Sequence, residues 1–222
     1  MNKLGIYVHI PFCKRKCKYC DFVSFTCEEL LIDSYFDALE KEIENCNIEN
    51  REISTIYIGG GTPSFCDSKY IVRLMSLLKY KFRIKEDAEI TIEVNPGTVS
   101  KEKLLDYKKA GINRLSIGLQ STNNRLLKLI GRIHTYEAFL ETFEYAKKVG
   151  FENINVDLML ALPTQTKEEL IESLNNVINL KPNHISLYSL ILEENTELEK
   201  QVKNRNTRTS KWRLRKKNVP FI

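Results

Sequence analysis

The pattern that most constrains this chain is a sixfold alternation of short apolar, β-branched runs with longer segments of helical periodicity. The predicted strands are Leu4–Ile10, Ser54–Ile58, Glu89–Val94, Arg114–Leu119, Ile154–Met159 and His184–Leu190. The predicted helices are, roughly, Glu28–Asn45, Asp67–Tyr80, Ser100–Lys109, Asn123–Ile130, Tyr136–Val149 and Thr166–Asn179. Strands that alternate with helices along a chain form parallel sheets joined by right-handed crossovers. The sequence therefore predicts an α/β protein.

Two architectures share this alternation, the open doubly wound sheet and the TIM-like barrel. A complete TIM barrel has eight strand–helix units and typically ~250 residues. This chain has six units, the last ending near Leu190. We therefore predict a partial (β/α)6 TIM-like barrel that is open on one side.

The distribution of charge divides the chain near residue 200. The formal net charge is +5, but the segment 201–222 has eight basic residues and no acidic one. Residues 1–200 thus have 26 basic and 29 acidic residues, and offer no charge-based argument for nucleic-acid binding. We predict a barrel domain over 1–200 and a basic tail over 201–222. The tail is expected to be disordered, or to be an out-of-frame product of a truncated gene.

The apolar runs are too short to span a membrane. Runs such as Ile185–Leu192 are interrupted by Ser and Tyr and are far shorter than the ~20 residues that a transmembrane helix needs. The N-terminus has no signal-peptide layout, because only a few apolar residues precede Lys14. We predict a cytoplasmic protein without a transmembrane segment.

Three of the six cysteines lie within eight residues, directly after the first predicted strand. Cys13, Cys17 and Cys20 have CxxxCxxC spacing, and neighbouring Lys and Arg side chains are expected to favour their thiolates. A [4Fe–4S] cluster normally takes four thiolates, one per iron. Three would leave one iron open to a ligand with an amine and a carboxylate.

A structural zinc ion is the alternative for these thiols. It would need a fourth ligand such as His9 or Cys27, and zinc sites usually show paired CxxC spacing. The spacing favours the iron–sulfur cluster. The other cysteines, Cys27, Cys46 and Cys66, are predicted to be core or surface residues without a metal role.

Longer strings around this loop resemble a known family. YVHIPFC at 7–13 and GGGTP at 59–63, which closes the second predicted strand, occur with an aromatic residue, Tyr19, before the last cysteine of the motif. Together they resemble the radical S-adenosylmethionine (SAM) superfamily and, within it, the oxygen-independent coproporphyrinogen III oxidase group, which also includes heme chaperones. The resemblance extends from about Gly5 to Glu197. It implies a [4Fe–4S] cluster on the three cysteines with one SAM bound to it, and a second SAM as in the oxidase branch.

The resemblance also implies individual SAM contacts. Those to the first SAM are Tyr7, Gly60 and Glu93. Those to the second are Tyr19, Gly61, Thr62, Gln120, Arg132 and Asp157, with a further backbone contact from Ile191. The predicted strands place these residues at their C-terminal face, where functional groups of βα barrels gather. His9 is a candidate contact to the cluster or SAM, and His134 and His184 are assigned no role.

Two functions are compatible with the resemblance. A heme chaperone would bind heme and pass it to heme-accepting proteins. An oxidase would use an adenosyl radical to abstract hydrogen from a porphyrinogen propionate side chain, leading to decarboxylation; either function would require an electron donor. The oxidase branch has a further cysteine two positions after the third ligand, where the chaperone branch typically has Asp-Phe after that ligand. This chain has Asp21 and Phe22, so the resemblance favours the heme chaperone, with the oxidase as the alternative.

Overall fold

The computed structural model describes residues 4–26, 29–48 and 51–204. The strands are β1 (Leu4–Ile10), β2 (Ile53–Gly60), β3 (Ile84–Val94), β4 (Arg114–Gln120), β5 (Asn153–Leu160) and β6 (His184–Ser189). The helices are α1 (Glu29–Asn45), α2 (Ser68–Lys81), α3 (Lys101–Lys109), α4 (Asn124–Leu129), α5 (Tyr136–Val149), α6 (Lys167–Asn179) and α7 (Glu197–Lys203). A short 3-10 helix, Pro63–Phe65, follows β2.

The six strands form one sheet in the order β1-β2-β3-β4-β5-β6, and every neighbouring pair is parallel. A doubly wound sheet would reverse its strand order at a switch point, whereas this order runs in one direction, as in a barrel. Strands β1 and β6 are the two edges of the sheet. The predicted partial (β/α)6 barrel, open on one side, is confirmed.

Capping side chains set several helix starts. The Ser100 hydroxyl accepts a hydrogen bond from the Lys103 amide at the start of α3. Thr166 and Glu169 form a reciprocal capping box at the start of α6. Helix α5 ends at Gly150, whose φ of 92° is favourable for glycine. Residues of these types are common at helix ends.

The two faces of the sheet differ in polarity. Alternate strand residues are apolar and almost wholly buried, among them Ile56, Ile58, Ile92, Ile117 and Val156. The residues between them point to the other face, where polar side chains are hydrogen-bonded across strands, among them Tyr57, Glu93, Ser116, Asn155 and Asp157. The apolar face packs against the helices. The polar face is the inner face of the barrel, and its side chains are suited to polar or charged ligands.

Two strand boundaries differ from the prediction by two or more residues. Strand β3 begins at Ile84 instead of Glu89, and β2 continues through Gly60, so two glycines predicted in a turn are in the strand. Helix α7 was not predicted, and it extends three residues past the predicted domain boundary at 200. Residues 205–222 of the predicted tail and Cys27 lie outside the described residues, so the tail stays a prediction. No helix in the described part of the chain is long and apolar enough to cross a membrane.

Candidate functional site

The cysteine loop starts directly after β1 and is closed by backbone hydrogen bonds. The Cys13 amide donates to the Phe25 carbonyl (3.0 Å), and the Phe25 amide donates to the Pro11 carbonyl (2.9 Å). Within the loop, the Cys20 amide donates to the Cys17 carbonyl (3.1 Å). The loop therefore returns to its own starting point and holds three thiols at the carboxyl end of β1.

The middle of this loop is fixed against two other parts of the fold. The Lys18 amide donates to the Ile130 carbonyl after α4 (3.1 Å), and the Lys18 carbonyl accepts from the Leu198 amide in α7 (2.8 Å). The Arg15 guanidinium donates to the Gly131 carbonyl (2.9 Å). Because α7 holds the loop, this unpredicted helix supports the site.

Each thiol has a polar neighbour. The Cys13 sulfur is 3.4 Å from the Thr62 hydroxyl, and the Cys17 sulfur accepts from the Arg132 Nη1 at 3.6 Å. The Cys20 sulfur is 4.0 Å from the Ser24 hydroxyl. Burial raises the pKa of the Cys20 thiol, and the nearby Lys16 ammonium lowers it by less. At Cys20 the basic neighbour Lys16 therefore favours the thiolate, as expected, but burial has the larger effect.

The glycine segment after β2 lies directly against the cysteine loop. A Cβ atom on Gly61 would be 3.0 Å from the Cys13 sulfur, so only glycine allows this close approach. The Gly60 amide donates to one Glu93 carboxylate oxygen (3.1 Å), and the Tyr57 hydroxyl donates to the other (2.9 Å). Burial raises the pKa of Glu93, so its carboxylate would gain from a cationic ligand.

Asp157 lies inside β5 and not at its end. Its carboxylate accepts from the Asn155 amide (2.8 Å) and the Ser116 hydroxyl (3.2 Å). Burial also raises its pKa. Glu93 and Asp157 therefore place two partly buried carboxyl groups on the inner face of the sheet.

Tyr7 and His9 lie on the open edge strand. The Tyr7 hydroxyl is 3.0 Å from His9 Nδ1, and the Tyr7 and Tyr57 rings stack at 6.1 Å. His9 Nε2 is 2.8 Å from the Val23 carbonyl of the cysteine loop. Tyr7 is 58% exposed, so it is open to a ligand.

The remaining predicted contacts gather at the ends of β4 and β6. The buried Gln120 has a positive φ of 74°, and its side-chain oxygen accepts from the Tyr188 hydroxyl (2.8 Å). Tyr19 packs against a small apolar cluster, and burial raises the pKa of its phenol. Ile191 follows β6 and is 64% exposed, so it lies at the rim of the site.

Four residues near this site were not singled out from the sequence: Tyr57, Asn95, His134 and Tyr188. Tyr57 could have been found, because it lies in the predicted strand directly before the glycine segment. Asn95 and His134 touch each other across 39 positions of sequence, which no local pattern indicates.

The donor set fits a [4Fe–4S] cluster. Three thiols share one loop, and a guanidinium group beside Cys17 has a buried Nε atom with no hydrogen-bond partner in the described structure. Within ranges 4–26, 29–48 and 51–204, no three His, Cys, Asp or Glu side chains converge on a single-ion position, which a structural zinc ion would require. A cubane takes one thiolate per iron, so its ligands need not meet at one point.

A cavity of about 560 Å³ lies elsewhere, at the amino ends of β2 and β3, and its lining includes Arg51, Lys81 and Phe82. Functional groups of βα barrels gather at the carboxyl ends of the strands. Because all three cysteines are at that opposite end, the cavity is not part of the candidate site.

Comparisons with known proteins agree with this geometry. The radical SAM superfamily matches residues 7–177. The heme chaperone HemW of Bacillus subtilis is 41% identical over 193 residues, which cover 86% of this chain and 51% of the relative. The oxygen-independent coproporphyrinogen III oxidase of Salmonella typhimurium is 36% identical over 189 residues, which cover 84% of this chain and 41% of the relative.

Among solved structures, coproporphyrinogen III oxidase (HemN) from Escherichia coli, described as a radical SAM enzyme, superposes with a TM-score of 0.81 at 34% identity. The match covers 90% of this chain and 46% of that one. The chain thus spans about half the length of the curated relatives that it matches. It belongs to the radical SAM superfamily, a membership that implies a [4Fe–4S] cluster and SAM.

Proposed function

We propose that Cys13, Cys17 and Cys20 hold a [4Fe–4S] cluster whose fourth iron binds SAM. The support is the anchoring of the cysteine loop beside Gly61 and Thr62. When bound, the reduced cluster supplies an electron to the SAM sulfonium. The protein holds the thiolates in place and limits access of water to that of Cys13, which is only 7% exposed.

The first SAM contacts are Tyr7, Gly60 and Glu93. The Glu93 carboxylate is fixed by the Gly60 amide and by Tyr57, so its negative charge is held in one orientation. A positioned carboxylate binds an ammonium group or ribose hydroxyls through charge-assisted hydrogen bonds. Tyr7, exposed beside it, offers a ring and a hydroxyl to the same ligand.

We propose one SAM per chain. The residues that the resemblance assigns to a second SAM include Gln120, Arg132 and Asp157, and the side chains of all three are engaged in hydrogen bonds within the protein. A second SAM would have to replace these bonds. Equilibrium dialysis of the reconstituted protein tests this, with one bound SAM expected and two contradicting it.

Among the two functions, we propose that of a heme chaperone, which would bind heme, deliver it to heme-accepting proteins and take electrons from a donor protein. The observation that carries this choice is Phe22, which stands where the oxidase branch has a further cysteine. Phe22 is 69% exposed, so it gives the loop an apolar surface and no fourth thiol. The higher identity to the chaperone relative than to the oxidase relative points the same way.

We also propose a cytoplasmic location, because the cluster needs reduced thiols and the cytoplasm keeps thiols reduced.

The test compares heme binding with porphyrinogen turnover in anaerobically reconstituted protein. Hemin titration followed by Soret absorbance is expected to show saturable binding, and the bound heme should pass to an apo-hemoprotein. Coproporphyrinogen III with SAM and a reductant is expected to remain unconverted. SAM-dependent decarboxylation would instead establish the oxidase alternative, and the Cys17→Ala variant, unable to hold the cluster, controls for turnover without it.

A further inference from the structure

Arg132 connects the cysteine loop to the strand ends. Its Nη1 donates to the Cys17 sulfur (3.6 Å), while its Nη2 donates to the Gly118 carbonyl (2.5 Å) and to Asn95 Oδ1 (2.6 Å). The buried Nε atom has no hydrogen-bond partner within the described residues. Three contacts from β3, β4 and the cysteine loop thus orient one guanidinium group toward a proposed cluster ligand.

His134 contacts the same Asn95 side chain as the Arg132 guanidinium. Its Nδ1 is 3.1 Å from the same Asn95 Oδ1, and its Nε2 is 3.2 Å from the Leu119 carbonyl. The ring is only 5% exposed. Burial, and next the positive charge of Arg132, lower the pKa of His134 to about 3, so its imidazole is neutral at pH 7. The neutral ring has a single N–H, so it donates to one of these two oxygens and adds no second positive charge.

We propose that Arg132, oriented by Asn95 and His134, raises the reduction potential of the cluster by donating a hydrogen bond to the Cys17 sulfur. The inference rests on the proposed ligation of the cluster by Cys17. Asn95 and His134 are then positioning residues. Reduction adds negative charge to the cluster, and a hydrogen bond or a positive charge at a ligand sulfur stabilises the reduced form.

This role differs from contact with a second SAM, which the resemblance implies for Arg132. A residue that acts only on SAM changes SAM affinity and leaves the potential of the SAM-free cluster unaltered. A residue that donates to the Cys17 sulfur changes that potential when SAM is absent. The SAM-free potential therefore separates the two roles.

The experiment is a redox titration of the full chain, reconstituted without SAM and followed by electron paramagnetic resonance, with iron counted in each sample. Arg132→Gln is expected to shift the potential to more negative values. His134→Phe, which keeps a ring but removes both nitrogens, should shift it in the same direction by less. The matched control is Arg125→Gln, since Arg125 pairs with Glu169 on the surface and should leave the potential unchanged.

A second readout is an exchangeable proton coupled to the reduced cluster in electron–nuclear double resonance, which Arg132→Gln should remove. A fully loaded Arg132→Gln cluster with the wild-type potential would overturn the inference. If that variant loads no cluster, His134→Phe decides, because a wild-type potential there overturns the positioning role. A wild-type chain that assembles no cluster would overturn the proposed function and this inference together.

Discussion

The backbone amide of Gly60 donates a 3.1 Å hydrogen bond to the carboxylate of Glu93. This bond joins the carboxyl end of β2 to that of β3, next to the cysteine loop. It fixes a negative charge where the family is expected to bind the first SAM.

Glu93→Gln should weaken SAM binding. The amide retains the shape of the carboxylate but not its charge, and a hydrogen bond to a charged group contributes about 1.5–3 kcal/mol. We expect about 10- to 100-fold weaker affinity, measured by calorimetry with the reconstituted protein. Glu89→Gln is the control. Glu89 is on the same strand, but its side chain is 51% exposed and forms an ion pair with Arg114. Equal affinity for the Glu93 variant and the wild type would contradict the proposed contact.

Gly60→Ala should destabilise the fold more than Gly150→Ala. Both glycines have positive φ, 118° and 92°, so alanine is strained at each. At Gly60 the added Cβ would also lie 2.9 Å from the Ile10 carbonyl, whereas at Gly150 it meets nothing within 4 Å. We expect a loss of about 1–2 kcal/mol at Gly150 and a larger loss at Gly60, from urea unfolding. A smaller loss at Gly60 would show that the close approach to β1 is not needed.

Lys103→Met should loosen the loops that follow β2 and β3. The Lys103 ammonium donates to the carbonyls of Ser64 (3.1 Å), Cys66 (2.9 Å) and Thr98 (3.3 Å). Its removal leaves these acceptors without the charged donor, which costs about 1–3 kcal/mol. Lys108→Met removes one exposed hydrogen bond, to the Gly150 carbonyl, and a cation–π contact with Phe151, and should destabilise the fold less than Lys103→Met. Equal free energies of unfolding for the two variants would contradict the proposal that Lys103 stabilises these loops.

His134 should make stability fall in mild acid. Its folded-state pKa is about 3, below its ordinary value of 6.5. As the pH falls from 6.5 toward 3, the unfolded chain binds a proton there that the folded chain does not, so the free energy of unfolding decreases. The slope for one such group is at most about 1.4 kcal/mol per pH unit.

The measurement is urea unfolding between pH 6.5 and 4.5, with His134→Gln beside the wild type. Glu93 and Asp157, whose raised pKa values make stability fall as pH rises, are present in both chains and cancel in the comparison. The variant should lose stability less steeply with acid. Identical slopes would show that folding does not lower the pKa of His134.

The number of strands and their parallel class could be predicted from periodicity, because apolar alternation and glycine breaks are local signals. The first five residues of β3 were missed because Lys85, Glu86 and Asp87 do not resemble a buried strand. In the fold these three lie between Ile84 and Glu89, the two positions of β3 that flank a register shift against β2. Helix α7 was missed although Thr196 caps it. Its position depends on contact with Lys18, which the sequence does not show.

The site also contains residues that the sequence predicts and contacts that it does not. The three cysteines, the glycine segment and Glu93 occupy strand ends, so strand prediction brought them to one edge. Arg132 and His134 lie in the loop between α4 and α5, and both contact Asn95 in the loop after β3, at separations of 37 and 39 residues. Such contacts depend on tertiary packing, and only the structure reveals them.

Iron and sulfide content after anaerobic reconstitution, with electron paramagnetic resonance recorded with and without SAM, tests the central claim most directly. The account predicts about four irons per chain and a reduced-cluster signal that changes when SAM is added. The Cys17→Ala variant should lose both. A wild-type chain without a cluster, or a cluster signal that is indifferent to SAM, would contradict the account.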